Sequence, residues 1–187
     1  MGELKVVLLA SGSGTLAQAI FDAELDLTYL ALISDKDSMA LKRASYEGIP
    51  TRLIPMRSDR NEWNKELIEV VSELRPDLVI SVGFMRILPP EFVSRFPTIN
   101  THPALLPNFP GAHAVRDALA AGTKVTGSTV HWVDAGVDTG KVIVQEEVVI
   151  QAGESEESLH ERIKIVERKL IVETLKKFIA DGIPEQN

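Results

Sequence analysis

Residues 4–10 (LKVVLLA) form an unbroken apolar run that ends in Ser11, Gly12, Ser13 and Gly14, after which Leu16, Ala19 and Ile20 recur at helical spacing. This reads as a buried strand, a glycine turn and a helix. A second apolar run, 27–33 (LTYLALI), precedes Ser34, Asp35, Lys36, Asp37 and Ser38, which supply a turn and an N-cap for a helix that stops at Gly48. Residues 51–54 predict a short third strand. Asp59 is placed to cap a helix whose apolar face, Trp63, Leu67, Val70, Val71 and Leu74, ends where Arg75-Pro76 breaks it. Residues 78–82 (LVISV) are a fourth strand. Apolar runs without alternation belong to strands buried on both faces. Their regular exchange with helices predicts a parallel α/β sheet with right-handed crossovers and functional loops at the carboxyl ends of the strands.

Beyond residue 97 the pattern changes. Residues 98–102 are a short strand, 103–111 are Pro-rich and irregular, and 112–121 predict a short helix. Residues 125–133 and 141–150 read as two strands joined by a polar turn over 134–140, a hairpin-like extension of the sheet. Ser155 caps a long helix with Glu156 and Glu157 in its first turn, Lys176 and Lys177 near its end and Gly182 after it, as the helix dipole favours. Leu159, Ile163, Val166, Leu170 and Phe178 are its core positions. No repeat, low-complexity tract or linker divides the chain, so one domain is expected.

Composition narrows the function. The 187 residues are 44% hydrophobic, 25% charged and 5% aromatic, an ordinary globular profile. Twenty Lys and Arg against 27 Asp and Glu leave a net charge of −7, a poor field for nucleic acid or an anionic bilayer, so a bound anion needs a local pocket. The absence of cysteine removes disulfides, thiolate zinc and a Cys nucleophile, and a cytoplasmic setting is expected. The early apolar run is too short for a signal peptide core or a membrane span. The histidines, at 102, 113, 131 and 160, lack ligand spacing, so no metal is expected.

Several segments carry candidate chemistry. In Ser11-Gly12-Ser13-Gly14-Thr15 the backbone amides and helix N-terminus suit a phosphate without any Lys, although a ligand-free turn would look the same. Strand alternation puts Asn100 and His102 on one face and Thr101 on the other. An amide donor beside an imidazole suits acyl transfer, while a lone His at a strand end often merely satisfies a carbonyl. Asp134 and Asp138 sit in a turn where Asp commonly bonds its own backbone; a carboxylate reaching His102 would raise the imidazole pKa and fix its tautomer. His131 and His113 could each line a pocket, with strand packing and solvent exposure as the plainer readings; His160 reads as surface. The loop Gly83-Phe84-Met85-Arg86-Ile87-Leu88 reads either as core filler or as an apolar slot for a flat heterocycle.

The strings SGSGT, GFMRIL, INTHPALLPNFPGAHAVRDAL, GSTVHWVDAGVDTG and LHERIKIVERKL occur in this order. Together they resemble the phosphoribosylglycinamide formyltransferase family, folate-dependent enzymes of purine biosynthesis, across residues 4–182. N-x-H-P-[SA]-L-L-P and D-x-G-x-D-x-G carry the specificity; the glycine loop does not. The resemblance implies an α/β, Rossmann-like formyltransferase fold, a mostly parallel sheet with a hairpin-like C-terminal extension and flanking helices. It implies one formyltransferase domain over 1–187, phosphate-binding in its N-terminal half, catalytic and folate-binding in its C-terminal half. Asn100, His102 and Asp138 are then the catalytic trio, and Gly14, Thr15 and Leu16 hold the substrate phosphate through backbone amides. Glu167 meets the glycinamide end. Met85, Arg86, Ile87 and Leu88, with Asp134, Ala135, Gly136, Val137 and Asp138, line the folate slot, and Arg60 meets the folate tail.

The implied reaction moves a formyl group from 10-formyltetrahydrofolate, as co-substrate, to the amine of glycinamide ribonucleotide, with no metal, nucleic acid or membrane partner. A homodimer is left open. Two departures stand out: Thr15 and Leu16 replace the Ser and Asn of many relatives, and the segment 95–100 is about two residues shorter. Leu106-Pro107 is a candidate cis peptide. Rival readings are a tRNA or nucleotide-sugar formyltransferase, a formyltetrahydrofolate deformylase, and a catalytically silent binding module. The tRNA enzyme is expected to carry a further C-terminal barrel and the deformylase a regulatory N-terminal domain.

Overall fold

The computed structural model describes residues 3–185. In chain order the elements are β1 (Leu4–Leu9), α1 (Thr15–Asp22), β2 (Leu27–Ser34), α2 (Met39–Tyr46), β3 (Thr51–Leu53), α3 (Arg60–Leu74), β4 (Leu78–Ser81), α4 (Pro90–Arg95), β5 (Thr98–His102), α5 (Ala114–Ala120), β6 (Val125–Trp132), β7 (Val142–Val149) and α6 (Glu156–Asp181). The strands lie in the order β3-β2-β1-β4-β5-β6-β7, a seven-stranded, mostly parallel sheet with flanking helices. Contacts gather the chain into two units, one up to Ile99 and the other from Asn100.

In the first unit β1 pairs in parallel with β2 and β4, and β2 with β3. Val6, Val7, Leu8, Leu9, Leu78, Val79 and Ile80 are fully enclosed, which is why these strands show no alternation. Asp59 caps α3 by accepting from the amides of Asn61 and Glu62. The buried face of α3 is Trp63, Leu67, Ile68 and Val71; Val70 and Leu74, expected there, are only half-buried. Ser38 stands at the N-cap of α2 without capping it, because its hydroxyl is engaged with that of Ser34 at 3.1 Å. Helix α4 has no counterpart in the sequence reading. Its two prolines suggested a loop, yet Pro90 occupies the first turn, where its fixed φ and missing amide cost nothing, and Phe92 is fully buried.

In the second unit β6 and β7 form the expected antiparallel hairpin, with Thr129 opposite Gln145. Ser155 caps α6 by accepting from the Ser158 amide. This 26-residue helix buries Leu159, Ile163, Leu170, Ile171, Leu175 and Phe178, and Phe178 stacks on Trp132 with centroids 5.9 Å apart. Glu167 lies on the same buried face, while Val166 is only partly covered. Among the described residues no helix is long and apolar enough to cross a membrane.

Candidate active site

The end of β5 delivers Asn100 and His102 into the second unit, and the turn after β6 brings Asp138 to them. His102 is 4% exposed. Its Nε2 lies 2.8 Å from the Phe109 carbonyl, and its Nδ1 lies 3.4 Å from Asp138 Oδ2. A carbonyl only accepts, so Nε2 carries the proton and donates it, leaving Nδ1 as the bare nitrogen of the neutral ring, facing a carboxylate. Asp138 Oδ2 also accepts from the Gly111 amide at 2.8 Å.

Burial pushes the His102 pKa below its ordinary value, outweighing the Phe109 bond and the Asp138 charge, which raise it; the neighbouring His131 adds to the lowering. The nearby carboxylate does raise this pKa, as expected, but desolvation outweighs it and the net shift is downward. For Asp138 burial works upward, but contacts with His131 and the Gly111 amide, together with the charges of both imidazoles, win and hold its carboxyl below the usual range.

His131, readable from the sequence only as strand packing or pocket lining, joins this group. Its Nδ1 donates to the Trp132 carbonyl at 2.9 Å, and its Nε2 lies 3.3 Å from Asn100 Nδ2 and 3.6 Å from Asp138 Oδ1. Nothing in the local sequence signals this, since a His on an apolar strand is usually satisfied core.

The chain 103–111 is tied down by the hairpin register. Thr129 Oγ1 donates to the Ala104 carbonyl and accepts from the Leu106 amide; Gln145 Nε2, brought opposite Thr129, donates to the Leu106 carbonyl at 2.8 Å. Leu106-Pro107 is cis.

The D-x-G-x-D-x-G turn resolves into separate tasks. Asp134 Oδ1 accepts from the Gly136 amide and from Thr139 Oγ1 at 2.7 Å, closing the turn on itself. A Cβ at Gly140 would collide with the Trp132 carbonyl, and one at Gly136 with the Thr139 hydroxyl. Asp138 adopts φ 54°, left-handed for a residue with a Cβ, and this aims its carboxylate at the imidazoles. Ala135 and Val137 are exposed.

Glu167 is 9% exposed, and desolvation pushes its pKa up to about 7, with the Thr101 hydroxyl and the charges of Lys164 and Arg168 only partly offsetting. A carboxyl with a folded pKa raised above its unfolded value loses stability as pH climbs from the unfolded value towards the folded one. Glu167→Gln removes that penalty. Its unfolding free energy relative to the parent is expected to improve by about 2 kcal/mol between pH 5 and pH 8. Denaturant melts at the two pH values check this; a pH-independent difference would show that the carboxyl stays ionised in the fold.

In the first unit Gly14 forms the N-cap of α1 at φ 71°, and a Cβ there would meet Ala40 Cα at 2.6 Å, so only glycine fits the turn. The first turn of α1 has no side-chain cap and no acidic residue, which leaves the amides of Thr15 and Leu16 for an anion. Arg43, unnoticed in the sequence, donates Nε to the Ser13 carbonyl at 2.9 Å and places a cation beside this loop. In the loop after β4, Met85 and Ile87 are exposed while Phe84 and Leu88 are buried, so core filling describes Leu88 but neither Met85 nor Ile87. Arg86 is paired with Asp35 at 2.6 Å, and Arg60 donates to the Ile87 carbonyl. Among the described residues no group of three or more His, Asp or Glu has the geometry to hold a metal ion.

A buried imidazole, a carboxylate and an amide thus lie together at the end of β5, and the family model for formyl transferases matches residues 4–175. The chain belongs to the formyl transferase family. It is 44% identical to phosphoribosylglycinamide formyltransferase of Mycobacterium tuberculosis H37Rv, over 96% of this chain and 86% of that one. It is 39% identical to the Escherichia coli K12 enzyme of the same name, over 96% and 88%. The crystal structure of glycinamide ribonucleotide transformylase 1 from Symbiobacterium toebii superposes with a TM-score of 0.92 at 35% identity, covering 99% of this chain and 92% of that one.

Proposed function

We propose that this chain transfers the formyl group of 10-formyltetrahydrofolate to the primary amine of glycinamide ribonucleotide, a step of purine biosynthesis, in the cytoplasm. The observation that carries the reading is the approach of Asp138 Oδ2 to His102 Nδ1 at 3.4 Å, with the other imidazole nitrogen already committed to a backbone carbonyl. Exposed Met85 and Ile87 in the loop after β4 offer apolar surface of the kind a pteridine ring needs.

The amine attacks the formyl carbon, and negative charge gathers on the formyl oxygen. Asn100, beside His131, supplies a donor to that oxygen; one well-aimed donor is worth about 2.7–4 kcal/mol. The proton lost by the amine enters His102 at Nδ1, directly or through water, and Asp138 stabilises the imidazolium so formed. The same proton then passes to the departing folate nitrogen. Gly14, Thr15 and Leu16 hold the ribonucleotide phosphate by main-chain amides, and Glu167 meets the glycinamide end. The loop 85–88 and the turn 134–138 receive the folate, and Arg60 its tail.

The test is the absorbance change on folate release, with purified protein, 10-formyltetrahydrofolate and either glycinamide ribonucleotide or water as acceptor. Turnover is expected only with the ribonucleotide. Release with water alone would make the chain a deformylase, and no release with either would refute catalysis.

A further inference from the structure

The loop leaving β4 is gripped from three elements of its own unit. Ser11, just beyond β1, accepts from the Met85 amide through Oγ at 2.9 Å and donates its own amide to the Gly83 carbonyl at 3.0 Å. Arg60, at the start of α3, donates Nη2 to the Ile87 carbonyl at 2.5 Å while its guanidinium lies 4.5 Å over the ring of Trp63. Trp63 in turn stacks on Phe84 with centroids 6.2 Å apart. Both of these grips act on the loop backbone.

The third grip uses a side chain of the loop itself: Arg86 Nε donates to Asp35 Oδ2 at 2.6 Å. The side chain of Asp35 is 0% exposed and its other oxygen, Oδ1, makes no hydrogen bond. A carboxylate enclosed this way strongly disfavours losing its counter-ion, so Arg86 is latched rather than free to swing into solvent. Between the three grips Met85 stands 66% exposed and Ile87 63% exposed. Large apolar side chains in water gain by folding back onto the core, and a loop fixed on both sides of them prevents it.

We propose that Asp35 is a positioning residue, acting through Arg86 to keep Met85 and Ile87 presented as a flat apolar platform for the heterocycle of the formyl donor. The inference rests on the reading that this loop meets the folate. Asp35 touches neither substrate; it sets the geometry of residues that do, so it governs donor binding and not the chemical step.

The test is steady-state kinetics of the full chain carrying Asp35→Asn, which is isosteric and leaves only the part-exposed Arg86 without its counter-ion, and Arg86→Lys, which keeps the charge pair but loses the guanidinium Nε donor. For Asp35→Asn the KM for 10-formyltetrahydrofolate is expected to rise about tenfold, with the KM for the ribonucleotide within about twofold and kcat within about threefold. Arg86→Lys is expected to raise the donor KM by less. Limited trypsin digestion reads the latch independently, and cleavage after Arg86 is expected to be about tenfold faster in Asp35→Asn than in the parent. A donor KM that does not move, or moves together with the ribonucleotide KM, overturns the proposal even if trypsin cuts faster. A parent protein unable to use the formyl donor would instead sink the functional reading. The trypsin rates would then decide the latch alone: faster cleavage of Asp35→Asn keeps it and equal cleavage removes it.

Discussion

Asp138→Asn is expected to lower kcat at least about a hundredfold while the protein stays folded. Asn is the mildest replacement available, because it is nearly isosteric and tolerates the left-handed conformation at φ 54° better than other residues. Its carbonyl oxygen can still accept from the Gly111 amide. What it cannot do is compensate a positive imidazole. With Nε2 of His102 committed to Phe109, the proposed mechanism brings the proton in at Nδ1, and a neutral amide there would leave a buried cation without a counter-ion. Circular dichroism and thermal melts beside the assay separate this effect from unfolding. Near-native turnover in purified Asp138→Asn would remove Asp138 from the mechanism.

His102→Ala should cost at least about a hundredfold in turnover as well, by deleting the proton acceptor itself. His102→Asn, which refills the space with a polar side chain, is expected to be equally inactive, so packing cannot account for both. The pH profile adds a sign. Burial lowers the His102 pKa, so the ring is neutral at pH 7 and protonates only on acidification; kcat/KM of the parent should fall below an inflection under the ordinary value of 6.5. An inflection above that value would mean that the Asp138 charge overrides desolvation.

Much of the architecture was legible because it follows from periodicity. Fully enclosed β1 and β4 leave unbroken apolar runs, and Asp59 and Ser155 cap their helices by local bonds that any window of four residues reveals. Helix α4 escaped because its stabilising feature, a proline in the first turn, is the same residue that marks a loop elsewhere. Val70, Leu74 and Val166 were placed on buried faces by spacing alone, and neighbours absent from any single-helix pattern decided otherwise.

The candidate site divides along the same line. Asn100, His102 and Asp138 could be picked out by residue type and by family likeness, but their approach depends on a turn and a strand end that are distant in sequence. His131, Arg43 and Asp35 could not be assigned to functional clusters because each acquires its partner only through the fold: Asn100 for the first, the Ser13 carbonyl for the second, Arg86 for the third. The net direction of the His102 shift was not legible for a related reason. A charge partner can be guessed from composition, whereas the solvent that has been excluded cannot.

The imidazoles at 102 and 131 and the carboxylate at 138 each lean on a main-chain atom, the carbonyls of Phe109 and Trp132 and the amide of Gly111. Such anchors are indifferent to which side chain their residue carries. Position 109, held at φ 53°, would accept Gly or Asn without loss of its carbonyl, so descendants of this sequence can drift there while keeping the same proton path. What heredity must preserve in this loop is the trace of the polypeptide more than its spelling.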